Sequence, residues 1–258
     1  MSGDMTVGAL LSLGARAERL KETLDSLQLG DEFSYVIAQK SSYGIAGTDF
    51  DVILPHAHAH ASGCGLRVEG CAQHSTHNAQ HSTHHHEHRN LADVEAIIDR
   101  GVMSDRARAL AKKAFRFVAE AEAKAHGKPI EEVHFHEVGA IDSIVDIISA
   151  AVLFDDLGET ECVVTGLTEG TGTVMCAHGE LPVPVPAVLN IAAATGIPLR
   201  PSETKGECVT PTGIALAAAF RTRDTLPPAY KVLGVGTGLG KRDYGRPAIL
   251  RILRIEAV

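Results

Sequence analysis

Positive charge is scarce in this sequence. Its 258 residues carry 24 Lys and Arg against 32 Asp and Glu, a formal net charge of -8. That balance leaves no basic footprint for a phosphodiester polymer, so nucleic acid is not an expected partner. Long apolar runs are missing as well. The most apolar stretch, Ile141 to Leu157, is interrupted by Asp142, Asp146 and Asp155, and a bilayer does not accept carboxylates at that density, so no membrane span is expected. Cysteine is sparse and odd in number: Cys64, Cys71, Cys162, Cys176 and Cys208 are widely spaced, which argues against a disulfide framework and for the reduced thiols of the cytosol. Met1 leads directly into Ser-Gly-Asp with no charged-then-apolar leader, so a cytoplasmic location is expected. No G-x-S-x-G elbow, H-E-x-x-H helix or C-x-x-C pair occurs, which removes the sequence grounds for hydrolase, zincin and thioredoxin chemistry.

Histidine, in contrast, is concentrated. Of 14 histidines, ten fall between residues 56 and 88: His56, His58, His60, His74, His77, His81, His84, His85, His86 and His88. From Pro55 to Arg89 apolar periodicity disappears, so a disordered His-rich insert is expected over residues 55–89, because it cannot offset its ordering entropy by burial. Neutral imidazole suits Ni, Zn, Cu and Co, and a flexible run holds such ions in interchangeable ways, which favours capture and transfer over a rigid catalytic centre. His84, His85, His86 and His88 are the densest candidate ligands. The same composition also suits a solvated linker whose metal binding is incidental. Cys64 and Cys71 could add thiolates, but C-x₆-C is not a zinc spacing.

Around the insert, the periodicities predict alternating helices and strands. Leucines at helical spacing from Asp4 to Leu27 predict one amphipathic helix ended by Gly30. Phe33–Gln39 and Ile45–Leu54 predict a hairpin turning at Tyr43-Gly44. Asn90 with Asp93 predicts a capped helix start, and Ser104 to about His126 a longer helix with Leu110, Ala114, Phe117, Val118 and Ala121 on its packed face. Pro129 prevents its immediate continuation, and Ala140–Leu157 predicts a buried central helix. Strands are expected at Cys162–Gly166 and Thr173–Cys176, separated by Glu169-Gly170-Thr171-Gly172. Helices are expected from near Pro186 and Pro211, and strands at Tyr230–Gly236 and Ala248–Ile255. The expected fold is α/β or α+β, a mixed sheet covered by helices. One region spanning 1–258 is expected, with a subdivision near 158 left open.

Two constellations carry chemistry. His134, His136, Glu137, Asp142 and Asp146 gather at the entry to the apolar helix, where Asp142 and Asp146 fall one turn apart on one face. Burying such carboxylates calls for a cation or for hydrogen-bond donors, so metal ligation and simple backbone capping both remain open. Thr210-Pro211-Thr212-Gly213 starts a helix with a cap and an N-terminal Pro, a geometry that can hold phosphate. Gly234, Gly236, Gly238 and Gly240 alternate along one strand face, allowing close backbone approach to a ligand, with Lys241 and Arg242 beside them. Neither segment is a standard nucleotide fingerprint, and ordinary turns fit each separately. His178, in Cys176-Ala177-His178-Gly179, is a further candidate ligand or acid-base group.

Read together, Ser2-Gly3-Asp4-Met5, the His-rich run ending His88-Arg89-Asn90-Leu91-Ala92-Asp93, His134-Phe135-His136-Glu137-Val138-Gly139-Ala140-Ile141-Asp142-Ser143, His178-Gly179-Glu180-Leu181-Pro182-Val183-Pro184 and Gly206-Glu207-Cys208-Val209-Thr210-Pro211-Thr212-Gly213 resemble the LarC family. The resemblance implies a nickel insertase that places Ni²⁺ into pyridinium-3,5-bisthiocarboxylic acid mononucleotide, completing the nickel-pincer cofactor of lactate racemase-type enzymes. It also implies CTP hydrolysis with Mn²⁺ or Mg²⁺, the CTP-binding part of the family lying beyond Val258 and expected on a separate C-terminal polypeptide. The residue chemistry agrees. Histidines that exchange readily suit nickel donation, and forming an Ni–C bond requires removal of a ring proton, for which His134, His136 and Glu137 are candidate bases. Candidate metal ligands are His84, His85, His86, His88, His134, His136, Asp142 and His178; candidate phosphate contacts are Thr210, Thr212, Gly213, Lys241 and Arg242. Expected partners are the mononucleotide, that C-terminal polypeptide and a racemase-type apoenzyme, with homo-oligomerisation left open. A nickel or zinc storage chaperone, or a metal-dependent enzyme on another phosphorylated small molecule, are the competing readings.

Overall fold

The computed structural model describes residues 1–55, 89–133, 135, 141–176 and 178–258. Residues 56–88 of the expected His-rich insert, with His84, His85, His86 and His88, and the candidates His134, His136 and Glu137 lie outside the described residues. In chain order the elements are α1 (Gly3–Ser12), α2 (Ala17–Ser26), β1 (Ser34–Ser42), β2 (Ile45–Ile53), α3 (Leu91–Arg100), α4 (Asp105–His126) and α5 (Ile141–Asp156). They continue as β3 (Leu167–Thr171), β4 (Thr173–Cys176), β5 (Gly179–Pro182), α6 (Pro186–Thr195), β6 (Leu199–Lys205), α7 (Pro211–Phe220), β7 (Tyr230–Leu239) and β8 (Ile249–Ala257). The architecture is mixed α/β. Its main sheet has the order β1-β2-β7-β8, with antiparallel outer pairs and a parallel β2–β7 seam, and β3–β6 and β4–β5 form separate small pairs. No helix among the described residues is long and apolar enough to cross a membrane.

Local chemistry explains most of these elements. Tyr43 and Gly44 turn the β1–β2 hairpin with φ of 50° and 80°, the left-handed pair that matches strand twist. Asn90 and Asp93 cap α3 reciprocally, and the Ser104 hydroxyl accepts from the Ala107 N–H at the start of α4. Central helix α5 is apolar on most sides, α1, α2, α4 and α7 pack about it, and Ile144, Ile147, Ile148 and Leu153 are fully buried.

Four expectations are corrected. The single helix over Asp4–Leu27 is two helices, because Gly14 adopts φ 110° at the break, while the leucine spacing continues across it since both helices face one core. Gly30 does not end that helix: the chain leaves α2 through Leu27 and Gln28 (φ 57°), and Gly30 opens a 3₁₀ turn. The strand expected at Cys162–Gly166 is only a bridge from Val163 to Arg223, and the strand forms next along, at Leu167–Thr171, taking in the Glu169-Gly170-Thr171 read as a spacer. On α4 Ala114, Val118 and Ala121 are buried as expected, but Leu110 and Phe117 lie at the margin, and Ala107, Ala111, Phe115 and Ala119 complete the buried face; small alanines let α5, α6 and α7 approach.

The alternating glycines of β7 also have a different neighbour from the one expected. A Cβ on Gly236 would lie 2.0 Å from the Ala9 carbonyl oxygen, and one on Gly238 would lie 1.9 Å from that of Met5. From the other side, a Cβ on Gly8 would lie 2.4 Å from the Thr48 carbonyl oxygen. The glycines therefore seat helix α1 directly on the β2–β7 seam rather than admitting a ligand.

Candidate functional site

Seating α1 this deeply brings its N-terminus beside those of α5 and α7. Ser2, Gly3 and Asp4 from α1, Asp142, Ser143 and Asp146 from α5, and Thr210, Pro211 and Thr212 from α7 line one cleft of about 320 Å³, completed by Val52, Glu207, Lys241 and Arg242. Helix N-termini present unsatisfied N–H groups and positive dipole ends, so their convergence favours an anion.

The α7 arm of the cleft is held by a buried acid. Glu169, 1% exposed, accepts through Oε1 from the N–H groups of Gly170 (2.7 Å), Cys208 (2.7 Å) and Val209 (3.1 Å). Thr210 then donates its N–H to the Met1 carbonyl at 3.0 Å, and its hydroxyl accepts from the Gly213 N–H at 3.1 Å. Gly213 is used up by this packing, since a Cβ there would lie 2.2 Å from the Met1 oxygen; it does not line the cleft, whereas Thr210 and Thr212 do.

Opposite, the cations are held by acids. Lys241 Nζ lies 2.5 Å from Asp51 Oδ1 and 3.9 Å from Asp4 Oδ2. The Arg242 guanidinium lies 3.1 Å from Glu207 Oε2 and donates to the Glu207 carbonyl at 3.2 Å, an oxygen that also accepts from the Tyr244 hydroxyl. Asp4 Oδ1 accepts from the Met5 N–H at 2.8 Å and from the Ser2 hydroxyl. Asp142 Oδ1 accepts from the Ser143 N–H at 2.8 Å. Asp146 Oδ1 is sealed from solvent and has no hydrogen-bond partner.

These environments shift three groups upward, which favours the neutral form of the carboxyls and the charged form of the ammonium. Burial raises the Asp142 carboxyl above its ordinary range, against the Ser143 and Asp142 N–H groups and Lys241, which lower it. Burial, then the nearby Asp4 and Asp142 charges, push Asp146 well above that range. Burial works against the Lys241 ammonium, but the hydrogen bond to Asp51 and the charges of Asp4, Asp51 and Asp146 outweigh it and raise its pKa.

Thus Asp142, Thr210, Thr212, Lys241 and Arg242, proposed from separate motifs, share one cleft. His178 does not line it. That residue sits exposed in the β4–β5 turn, its ring 5.0 Å from that of His126, which pairs with Glu122 at 3.4 Å. Among the described residues no three His, Cys, Asp or Glu side chains form a group that could hold a metal ion. Sequence reading missed Glu169, Asp51 and Glu207. Only the Asp49-Phe50-Asp51 alternation hinted at Asp51, since it puts acids on one face of an otherwise apolar strand. One backbone contact joins Arg89 and Phe135: the Phe135 N–H donates to the Arg89 carbonyl at 3.2 Å, and the Phe135 ring is buried 6.4 Å from that of Phe115.

Fold and cleft together define an α/β protein with a cleft lined by both acidic and basic side chains. The sequence pattern of the family described as nickel insertion protein matches residues 1–257, and the chain belongs to that family. It is similar to proteins named pyridinium-3,5-bisthiocarboxylic acid mononucleotide nickel insertion protein from Alkaliphilus metalliredigens (48% identity, 99% of this chain and 58% of the relative), Acetivibrio thermocellus (41%, 98% and 57%) and Clostridium acetobutylicum (40%, 98% and 61%). The chain therefore spans less than two thirds of the length of these relatives. No solved structure matches it.

Proposed function

We propose that this chain performs nickel insertion into pyridinium-3,5-bisthiocarboxylic acid mononucleotide, yielding the nickel-pincer cofactor of lactate racemase-type enzymes. The observation that carries this is the near-complete match of the chain to relatives bearing that name. In this reading the cleft receives the mononucleotide, with Thr210, Thr212, Lys241 and Arg242 about its phosphate. Nickel is the cargo: His84, His85, His86 and His88 collect it, and His134, His136 and Asp142 receive it, His178 being set aside because it lies outside the cleft. The Arg89–Phe135 backbone contact supports this route, since it joins the residue that follows His88 to the residue between His134 and His136. Two thiocarboxylate sulfurs and a ring carbon then replace the carriers, and the proton released as Ni–C forms goes to His134, His136 or Glu137. CTP hydrolysis with Mn²⁺ or Mg²⁺ belongs to a C-terminal partner polypeptide.

The test is incubation of the chain with Ni²⁺ and the thiolated mononucleotide, with and without CTP and the C-terminal polypeptide, followed by assay of lactate racemase apoenzyme. Activation that requires this chain is the expected result. Nickel uptake without activation under every condition would leave only a storage role.

A further inference from the structure

We propose that the phosphate in this cleft is bound as the complex of a hard divalent cation, Mg²⁺ or Mn²⁺, to which Asp4 and Asp146 supply the protein's oxygen ligands. This deepens the reading that the mononucleotide occupies the cleft, and rests on it. The first argument is charge. Lys241 and Arg242 are committed to Asp51 and Glu207, while Asp4, Asp142 and Asp146 remain in the cleft wall. Even with Asp146 neutral, acids outnumber bases around the place where three helix N-termini invite an anion. A phosphate dianion enters such a site with a counter-cation or not at all.

The second argument is a single atom. Asp146 Oδ1, like Glu169 Oε2, is out of solvent contact with no donor, but of the two residues only Asp146 lines the cleft, where a cation can complete it. Its carboxylate faces the α1 N-terminus, where Asp4 turns only Oδ1 toward Ser2 and Met5 and leaves Oδ2 on the cleft side, 3.9 Å from Lys241. The third argument is donor chemistry. Among the described residues the cleft wall contains carboxylates and hydroxyls but no imidazole or thiol, a set that selects a hard ion over nickel. Mg²⁺ and Mn²⁺ are commonly held by one or two carboxylates plus substrate phosphate.

The whole chain is titrated calorimetrically with nicotinic acid mononucleotide, its phosphate-free riboside and inorganic phosphate, each with saturating Mn²⁺ or with chelator. Mononucleotide binding is expected to be at least about tenfold tighter with Mn²⁺, the range typical of coupled ligands, with no such enhancement for the riboside. The enhancement is expected to disappear in Asp146→Asn and in Asp4→Asn, with folding checked by circular dichroism. Equal affinity in Mn²⁺ and chelator, enhancement that survives both substitutions, or tighter binding of inorganic phosphate than of the mononucleotide overturns the proposal and leaves nickel insertion standing. Mononucleotide binding that is absent under every condition removes the cleft from the insertion reading, and this inference with it.

Discussion

Gly3 and Asp146 share one small volume: a Cβ on residue 3 would lie 2.4 Å from Asp146 Oδ2 and 2.6 Å from its Cβ. The N-terminus of α1 and the first turns of α5 can meet only because residue 3 has no side chain, and the cleft exists where they meet. Gly3→Ala is expected to cost about 1–3 kcal/mol, as overpacking does in a closed core, and to weaken mononucleotide binding by displacing the carboxylate. Urea denaturation and calorimetry check both; unchanged values would mean that the two helix ends are not in contact.

Gly238→Ala tests the seat of α1 on the sheet. Its Cβ would lie 1.9 Å from the Met5 carbonyl oxygen, a backbone atom that cannot rotate away. A loss of about 3 kcal/mol or more is expected. Gly245→Ala, at φ 68° with nothing within 4 Å, is the comparison and is expected to cost about 1 kcal/mol from backbone strain alone. Similar losses for the two would show that α1 does not press on β7.

Glu169→Ala removes the acceptor shared by Gly170, Cys208 and Val209. A destabilisation of about 3 kcal/mol is expected from two buried N–H groups and one part-buried N–H group losing their shared acceptor. Amide hydrogen exchange at residues 206–210 is expected to accelerate selectively, because these residues carry the α7 side of the cleft. Protection that stays level across that loop would argue that Glu169 does not organise it.

The Arg16–Asp156 pair ties the turn before α2 to the end of α5. The Arg16 side-chain hydrogen bond lowers the Asp156 carboxyl below its ordinary range; burial, the next largest influence, opposes it, and the Arg16 N–H and charge lower it further. A carboxyl depressed on folding stabilises the protein above its unfolded value and loses that contribution as pH falls through the folded one. Asp156→Asn is therefore expected to destabilise the protein at about pH 7, by about 1 kcal/mol or less because Arg16 is exposed and screened. The gap from the parent should narrow as pH falls below the ordinary carboxylate range. Thermal denaturation across pH measures it, and a gap that is constant with pH would contradict the charge argument.

Short-range signals were read well here. The Tyr43-Gly44 hairpin, the Asn90–Asp93 capping box and the Thr210 cap with Pro211 all depend on residues a few positions apart, and local sterics decide them. The β6 strand Leu199–Lys205 escaped notice because Arg200, Pro201, Ser202, Glu203 and Thr204 give no apolar alternation; it forms because β3 lies ready to pair with it. The glycines of β7 were recognised as marking a close approach, but their neighbour is α1, more than 200 residues earlier in the chain, and no pattern within β7 could name it.

The sequence by itself determined the family, the helix and strand types of most elements, and the residue kinds available for metal and phosphate, because motif order, periodicity and capping are local properties. Tertiary structure alone decided that Asp4, Asp146, Thr210 and Lys241 line one cleft, that Gly213 serves packing instead of a ligand, and that His178 lies outside the cleft. Those outcomes depend on which backbones can approach within contact distance. That is settled by how α1, α5 and α7 pack against the sheet and one another.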